Sequence, residues 1–298
     1  MAILKPFKGL RPPKELVKDI ASRPYDVLNS AEARQEAEGN EKSLLHIIKP
    51  EIDLPEDVDV YSNEVYNKAR ENFDKFLDND WLRQDDEDKL YIYAQKMGDH
   101  KQYGLVGCAG VQDYMNDIIK KHELTRAAKE EDRMKHVRIT NANMEPVFFT
   151  YRAVPEIDEI ISNWVETHDP VYDFIADDDV EHEFWVVDDH EKIERLVQLF
   201  EAIPNTYVAD GHHRTAAAAL VGNEKKKNNP EHTGNEEYNF FLAVHFPDNQ
   251  LDIIDYNRVV KDLNGMSPED FIKKLEEVFD IEEKGEDEVN EALIDRYY

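Results

Sequence analysis

Apolar positions recur at two periods along this chain, and the switches between them outline its elements. Spacing of three and four places Val65, Ala69, Phe73, Phe76 and Leu77 on one stripe, which predicts an amphipathic helix from about Ser62 to Leu77. Strict alternation follows: Leu90, Ile92 and Ala94 share one face, and Tyr91, Tyr93 and Gln95 the other. Gly98-Asp99 then turns the chain, and 102–111 returns with glycines 104, 107 and 110, so a hairpin is predicted. Strands are expected at 3–10, 44–48, 147–154, 184–187, 238–246 and 251–260. Helices are expected from Pro12 to Ala21, from Ser30 to a stop at Gly39-Asn40, at 156–166, at 190–202 and from Ser267 to Phe279. Residues 223–237 read as an exposed, flexible insertion. Strands and helices mix without strict alternation, which predicts an α+β (irregular α/β) fold with mixed sheets and flanking helices. The expected organisation is one domain over 1–260 in two lobes, about 1–115 and 145–260. A polar arm, 118–143, joins them, and a helical segment, 261–298, follows.

One stretch breaks the packing logic. Thr206-Tyr207-Val208 leads through Ala209 into Asp210, Gly211, His212, His213, Arg214 and Thr215, after which four alanines and a leucine favour helix. The order reads as strand, tight turn and helix N-terminus over 206–221. Each residue has an ordinary structural reading: Asp210 as a turn former, His213 as a core histidine, Arg214 as a surface residue. Together they put nitrogen-rich side chains where free backbone N–H groups and the helix dipole already favour an anion. Gly211 permits a positive φ and close approach of backbone to a ligand. A phosphate seat is therefore expected here. Zinc fits less well, because adjacent histidines on a helix point about 100° apart and the spacing is not that of HExxH. No GxGxxG or GxxxxGK[ST] loop is present.

Composition narrows the partners. The chain has 298 residues, 41% hydrophobic, which is long enough for a substantial core. Sixty-six acidic residues against 36 Lys plus Arg give a formal net charge of −30. Such a field repels nucleic acid, and it requires any phosphate site to be locally basic or bridged by a divalent cation. The lone Cys108 rules out an internal disulfide and a cysteine-based zinc cluster. No apolar run approaches a membrane span and no signal-peptide pattern opens the chain, so a soluble cytoplasmic protein is expected. Oligomeric state is not legible in the sequence.

The polar arm is the second constellation. His122, Glu123, Thr125, Arg126, Lys129 and Arg133 occur where little apolar surface would anchor a helix. A mobile arm closing over phosphate and a plain solvated helix are both consistent with that pattern. Arg258, between strand-like apolar residues, is expected to face solvent or to pair with an acid or an anion. Asp26, in the proline-punctuated loop 22–27, reads as a base, a metal ligand or a turn former.

Several motifs in fixed order resemble the domain-of-unknown-function family 1015. They are Lys5-Pro6-Phe7-Lys8-Gly9-Leu10-Arg11-Pro12, Arg23-Pro24-Tyr25-Asp26-Val27, Gly39-Asn40 with Ser43-Leu44-Leu45-His46, His122-Glu123-Leu124-Thr125 with Lys129-Glu130-Glu131-Asp132-Arg133, Glu145-Pro146-Val147-Phe148 and Ala209-Asp210-Gly211-His212-His213-Arg214. Where the family often has Thr-His-Arg, this chain has Tyr256-Asn257-Arg258, so no histidine role carries over there. Family members are commonly longer, which implies that Tyr298 ends a truncated chain or one lacking a C-terminal element. More remotely, Asp-Gly-His-His-Arg is similar to the phosphate-binding turn of the ParB and sulfiredoxin-like superfamily, which includes kinases acting on free serine. That resemblance implies an ATP- or ADP-dependent phosphotransferase acting on a small hydroxylated metabolite. Gly211, His212, His213, Arg214, Thr215, His122, Thr125, Lys129, Arg133 and Arg258 would hold phosphate or nucleotide. Asp26, Glu123 or Asp210 would accept a proton or hold Mg²⁺, with Asp210 the metal candidate, and Arg214 with one of the catalytic candidates His212 and His213 would stabilise charge on the transferred group. A non-catalytic nucleotide sensor and a phosphoester hydrolase are the competing readings.

Overall fold

Chain order mixes strands and helices without alternation. In the computed structural model, which describes residues 1–253 and 260–282, β1 (Leu10–Arg11) precedes α1 (Val17–Ile20), α2 (Ser30–Glu36), α3 (Leu45–Ile48) and α4 (Asn63–Asp78). Next come β2 (Arg83–Gln84), the hairpin β3 (Leu90–Met97) and β4 (His100–Gly110), α5 (Val111–Met115), β5 (Ile119–Lys120) and α6 (Ala127–Thr140). Then follow β6 (Val147–Tyr151), α7 (Pro155–Thr167), β7 (Tyr172–Ile175), β8 (Glu181–Val187), α8 (His190–Glu201), β9 (Thr206–Asp210), α9 (His212–Asn228) and β10 (Phe240–Pro247). The expected α+β class is what the structure has.

One eight-stranded mixed sheet, ordered β5-β9-β6-β10-β4-β3-β8-β7, organises residues 1–251. β6 runs parallel to β10 and β5 parallel to β9, and the other neighbours are antiparallel. Strands from both expected lobes pair directly, since Ala243 of β10 sits opposite Gly107 of β4. Leu90, Ile92, Ala94, Leu105 and Tyr151 pack against Ile157, Ile161 and Trp164 of α7 and Leu196 and Phe200 of α8. Val147, Phe149, Val208 and Phe241 pack beneath Ala218 and Ala219 of α9. Small residues let α9 lie close: a Cβ on Gly222 would come 2.3 Å from the Tyr238 carbonyl oxygen and 2.8 Å from Val111. Gly222→Ala is therefore expected to cost about 1–3 kcal/mol, read as a lower urea midpoint with an unchanged slope. An unchanged midpoint would show that α9 can slide.

Several expectations change. Residues 45–48 form helix, not strand; a short apolar run that is buried all round does not declare its period, and Leu45, Ile47 and Ile48 are each at most 1% exposed. The 118–143 segment is no mobile arm through its length. α6 is anchored by Met134, which packs with Ala217 and Val221 of α9, and by buried His136, whose Nε2 donates to the Ile47 carbonyl at 2.9 Å. Residues 223–228 continue α9, so the exposed insertion is shorter than expected. Strand β7 adds to the predicted elements. On α4 the stripe holds at Val65, Ala69, Phe73 and Phe76, whereas Leu77 is exposed.

The unit beginning at Asp252 contains α10 (Pro268–Glu276), whose start is capped by the Ser267 hydroxyl accepting from the Asp270 amide. Most of the expected strand at 251–260, Arg258 included, lies outside the described residues.

Candidate functional site

β9 reaches the motif through an irregularity. Phe149 pairs with Val208 but Phe148 pairs with Asp210, so one extra residue bends the strand end just before the turn. Gly211 then takes φ +86° and caps α9 from the left-handed region. Glycine brings no side chain, and no side chain caps the helix start. Thr215 turns inward: its amide and its hydroxyl both donate to the Gly211 carbonyl at 2.9 Å. It closes the first turn rather than offering its hydroxyl outward.

Three buried nitrogens of the motif have no hydrogen-bond partner among the described residues: His212 Nε2, His213 Nδ1 and Arg214 Nε. A buried polar atom left without a partner costs about 1–3 kcal/mol, so their clustering in one helical turn is a feature that packing alone does not account for. The His212 side chain is 4% exposed, its Nδ1 lies 3.4 Å from Glu123 Oε2, and its ring meets His122 edge-to-face at 4.4 Å. Burial first, and then the neighbouring His122, hold the His212 imidazolium below its ordinary pKa. Arg214 folds back beneath the turn. It donates to Asp210 Oδ2 at 2.9 Å and to the Pro146 carbonyl at 3.1 Å, and its side chain is 9% exposed.

A second cluster adjoins Arg214. A cavity of about 30 Å³ is lined by Arg133, His136, Glu145 and Arg214 with apolar neighbours that include Val147 and Phe241. Arg133 pairs with Asp132 at 2.9 Å and lies over the Tyr25 ring at 4.0 Å, while Tyr66 donates to Asp132 at 2.8 Å. Arg133 is thus braced by an acid of its own helix, and Arg214 by the last residue of the strand before its helix. Glu145 sits at φ +60°, a strained choice for a residue with a side chain, and accepts from the Tyr25 amide at 2.8 Å. Burial raises its carboxyl pKa, and Arg214 opposes that shift. Asp26 is exposed beside this cluster, close enough for its charge to act on Tyr25 and Glu145.

The structure thus gathers His122, Glu123, Asp210, Gly211, His212, His213 and Arg214 at one helix start, with Asp26 and Arg133 on the flank. Thr125 donates to Glu130 instead, and Lys129 is exposed on the first turn of α6. Glu145, Tyr66 and Asp132 were given no role from the sequence. A glutamate in the left-handed region leaves no compositional trace, and the Tyr66–Asp132 brace joins residues 66 positions apart.

Does this site fit a resident Mg²⁺? Asp210 is ion-paired with Arg214, and among the described residues no group of three or more His, Cys, Asp or Glu could hold a metal ion. The residues do not supply a cage of their own; a Mg²⁺ carried by nucleotide phosphates needs only one or two carboxylates from the protein. No described helix is long and apolar enough to cross a membrane.

No curated protein and no solved structure shows significant similarity to the chain. The family described as "Protein of unknown function (DUF1015)" matches residues 4–295, nearly the whole length, and covers every element of the site above. The chain belongs to the DUF1015 family.

Proposed function

We propose that this protein is a nucleotide-dependent phosphotransferase, using ATP or ADP, that acts on a small hydroxylated metabolite, with free serine the first acceptor to test. The observation that carries the reading is the uncapped start of α9 at a left-handed glycine, with three buried, unpartnered side-chain nitrogens in the same turn. The amides after Gly211 would hold a terminal phosphate, supported by the positive end of a 17-residue helix. Arg214 Nε and His213 Nδ1 would meet the charge that spreads over the transferred group. In a chain of net charge −30 a phosphate needs local donors, and the guanidinium held at the turn is one. Mg²⁺ would arrive with the nucleotide. Asp210 is occupied by Arg214, which makes it the least available of the three candidate acids.

Nucleotide turnover with a panel of hydroxy amino acids and polyols tests this reading. Arg214→Ala is expected to lower kcat by about 10²–10³-fold, the usual cost of removing one donor from a charge-stabilising site. Wild-type turnover in that variant would contradict the role. Nucleotide binding without product in the wild type would point to a sensor, and phosphate release without an acceptor to a hydrolase.

A further inference from the structure

We propose that His212, rather than a carboxylate, accepts the proton of the acceptor hydroxyl, and that Glu123 is the positioning residue acting through it; this role rests on the phosphotransferase reading. The two imidazole nitrogens have different surroundings. Nδ1 faces Glu123 Oε2 at 3.4 Å. A carboxylate only accepts, so that contact favours the ring hydrogen on Nδ1, which leaves the lone pair on Nε2. Nε2 is buried and has no partner among the described residues. His212 is also the first residue of α9, directly after Gly211, so the lone pair and the phosphate seat share one helical turn.

Three further features suit a base. The edge-to-face contact with His122 limits rotation of the ring. Burial and His122 disfavour the charged imidazole, so the lone pair is available at neutral pH. The ionisable groups acting on His212 are His122 and Glu123 from the loop before α6, Asp210 from β9 and His213 from α9. Of the acids, Asp210 is committed to Arg214, Asp26 lies beside Tyr25 and Glu145, and Glu123 is 57% exposed, reaching the site through the ring it faces.

The step balances as follows. The acceptor oxygen forms a bond to the terminal phosphorus of the nucleotide, and its hydroxyl proton passes to His212 Nε2. The bond from phosphorus to the bridging oxygen breaks, its electron pair leaving with the shortened nucleotide. The imidazolium formed lies against the Glu123 carboxylate and returns its proton to water after product departs.

The test is the pH profile of acceptor-dependent turnover in the wild type, His212→Gln and Glu123→Gln, with ADP affinity measured by calorimetry. Wild-type kcat is expected to rise with pH along a limb set by His212. His212→Gln should lose about 10²–10⁴-fold in kcat and lose that limb, while ADP affinity stays near the wild-type value. Glu123→Gln keeps an oxygen that accepts from Nδ1 but removes the charge, so the limb should move to lower pH with KM little changed. An acid limb intact in His212→Gln, or unmoved in Glu123→Gln, would overturn the proposal. A wild type that turns over no nucleotide with any acceptor would instead defeat the phosphotransferase reading, and the proton-transfer role with it. Heteronuclear NMR of the imidazole reads the pairing without activity: hydrogen on Nδ1 supports it, and hydrogen on Nε2 overturns it.

Discussion

Gly211→Ala is expected to lose nucleotide turnover by about 10²-fold or more, the cost typical of a reacting group displaced by about 1 Å. The backbone at 211 holds φ +86°, which an alanine adopts only under strain. The added Cβ would also lie 3.2 Å from Arg214 Cζ and Nη2 and 3.3 Å from Nε. The guanidinium must then give way, weakening its hold on Asp210 and Pro146. Strain and displacement together should cost roughly 1–3 kcal/mol of stability, a loss a core of this size can absorb, so the variant should fold and be assayable. Parallel thermal melts and turnover assays separate the two effects. Full activity in a folded Gly211→Ala protein would mean that the turn is not where phosphate sits.

Acid is expected to unfold this protein well before its carboxylates are all protonated. His136 on α6 and His245 on β10 are 5% and 1% exposed, and burial pushes each imidazole down to about 4. His136 donates to the Ile47 carbonyl, and His245 lies between the Phe149 and Phe200 rings with Nδ1 3.3 Å from the Leu105 carbonyl. Their folded pKa values lie below the unfolded value of about 6.5. Their contribution is therefore whole above that pH and is lost as pH falls towards the folded pKa, because only the unfolded chain binds the protons. Each histidine withdraws roughly 3 kcal/mol by about pH 4. The buried carboxyl of Asp113 and the half-buried ones of Asp158 and Glu145, whose pKa values burial raises, work in the opposite sense and return part of this. Urea midpoints measured from neutral pH downward should fall, and His245→Gln should remove about one proton from the slope. A flat profile, or an unaltered slope in the variant, would contradict this account.

Periodicity carried the hairpin and helices α4, α7 and α8 because each buries one face against a large core, so period and burial agree. It failed at 45–48, where burial on all sides erases the period, and at α6, whose anchoring comes from Met134 and His136 among charged residues. At the site, the strand, left-handed glycine and helix start were legible in 206–221, because glycine among histidines and arginine has few structural uses. The pairing of His212 with Glu123 joins residues 89 positions apart, and the Glu145–Tyr25 contact joins two loops; neither can be read from local spacing. Arg214 also differs from its plain sequence reading, since it is buried beneath the turn and not splayed at the surface.

The central claim is that the amides following Gly211 receive phosphate oxygens. Backbone amide NMR during titration with ADP tests it most directly. The His213 and Arg214 amides should move downfield and saturate together with the calorimetric binding curve, with smaller changes along the rest of α9. Saturating ADP that leaves those two amides unmoved, while residues elsewhere shift, would contradict the account.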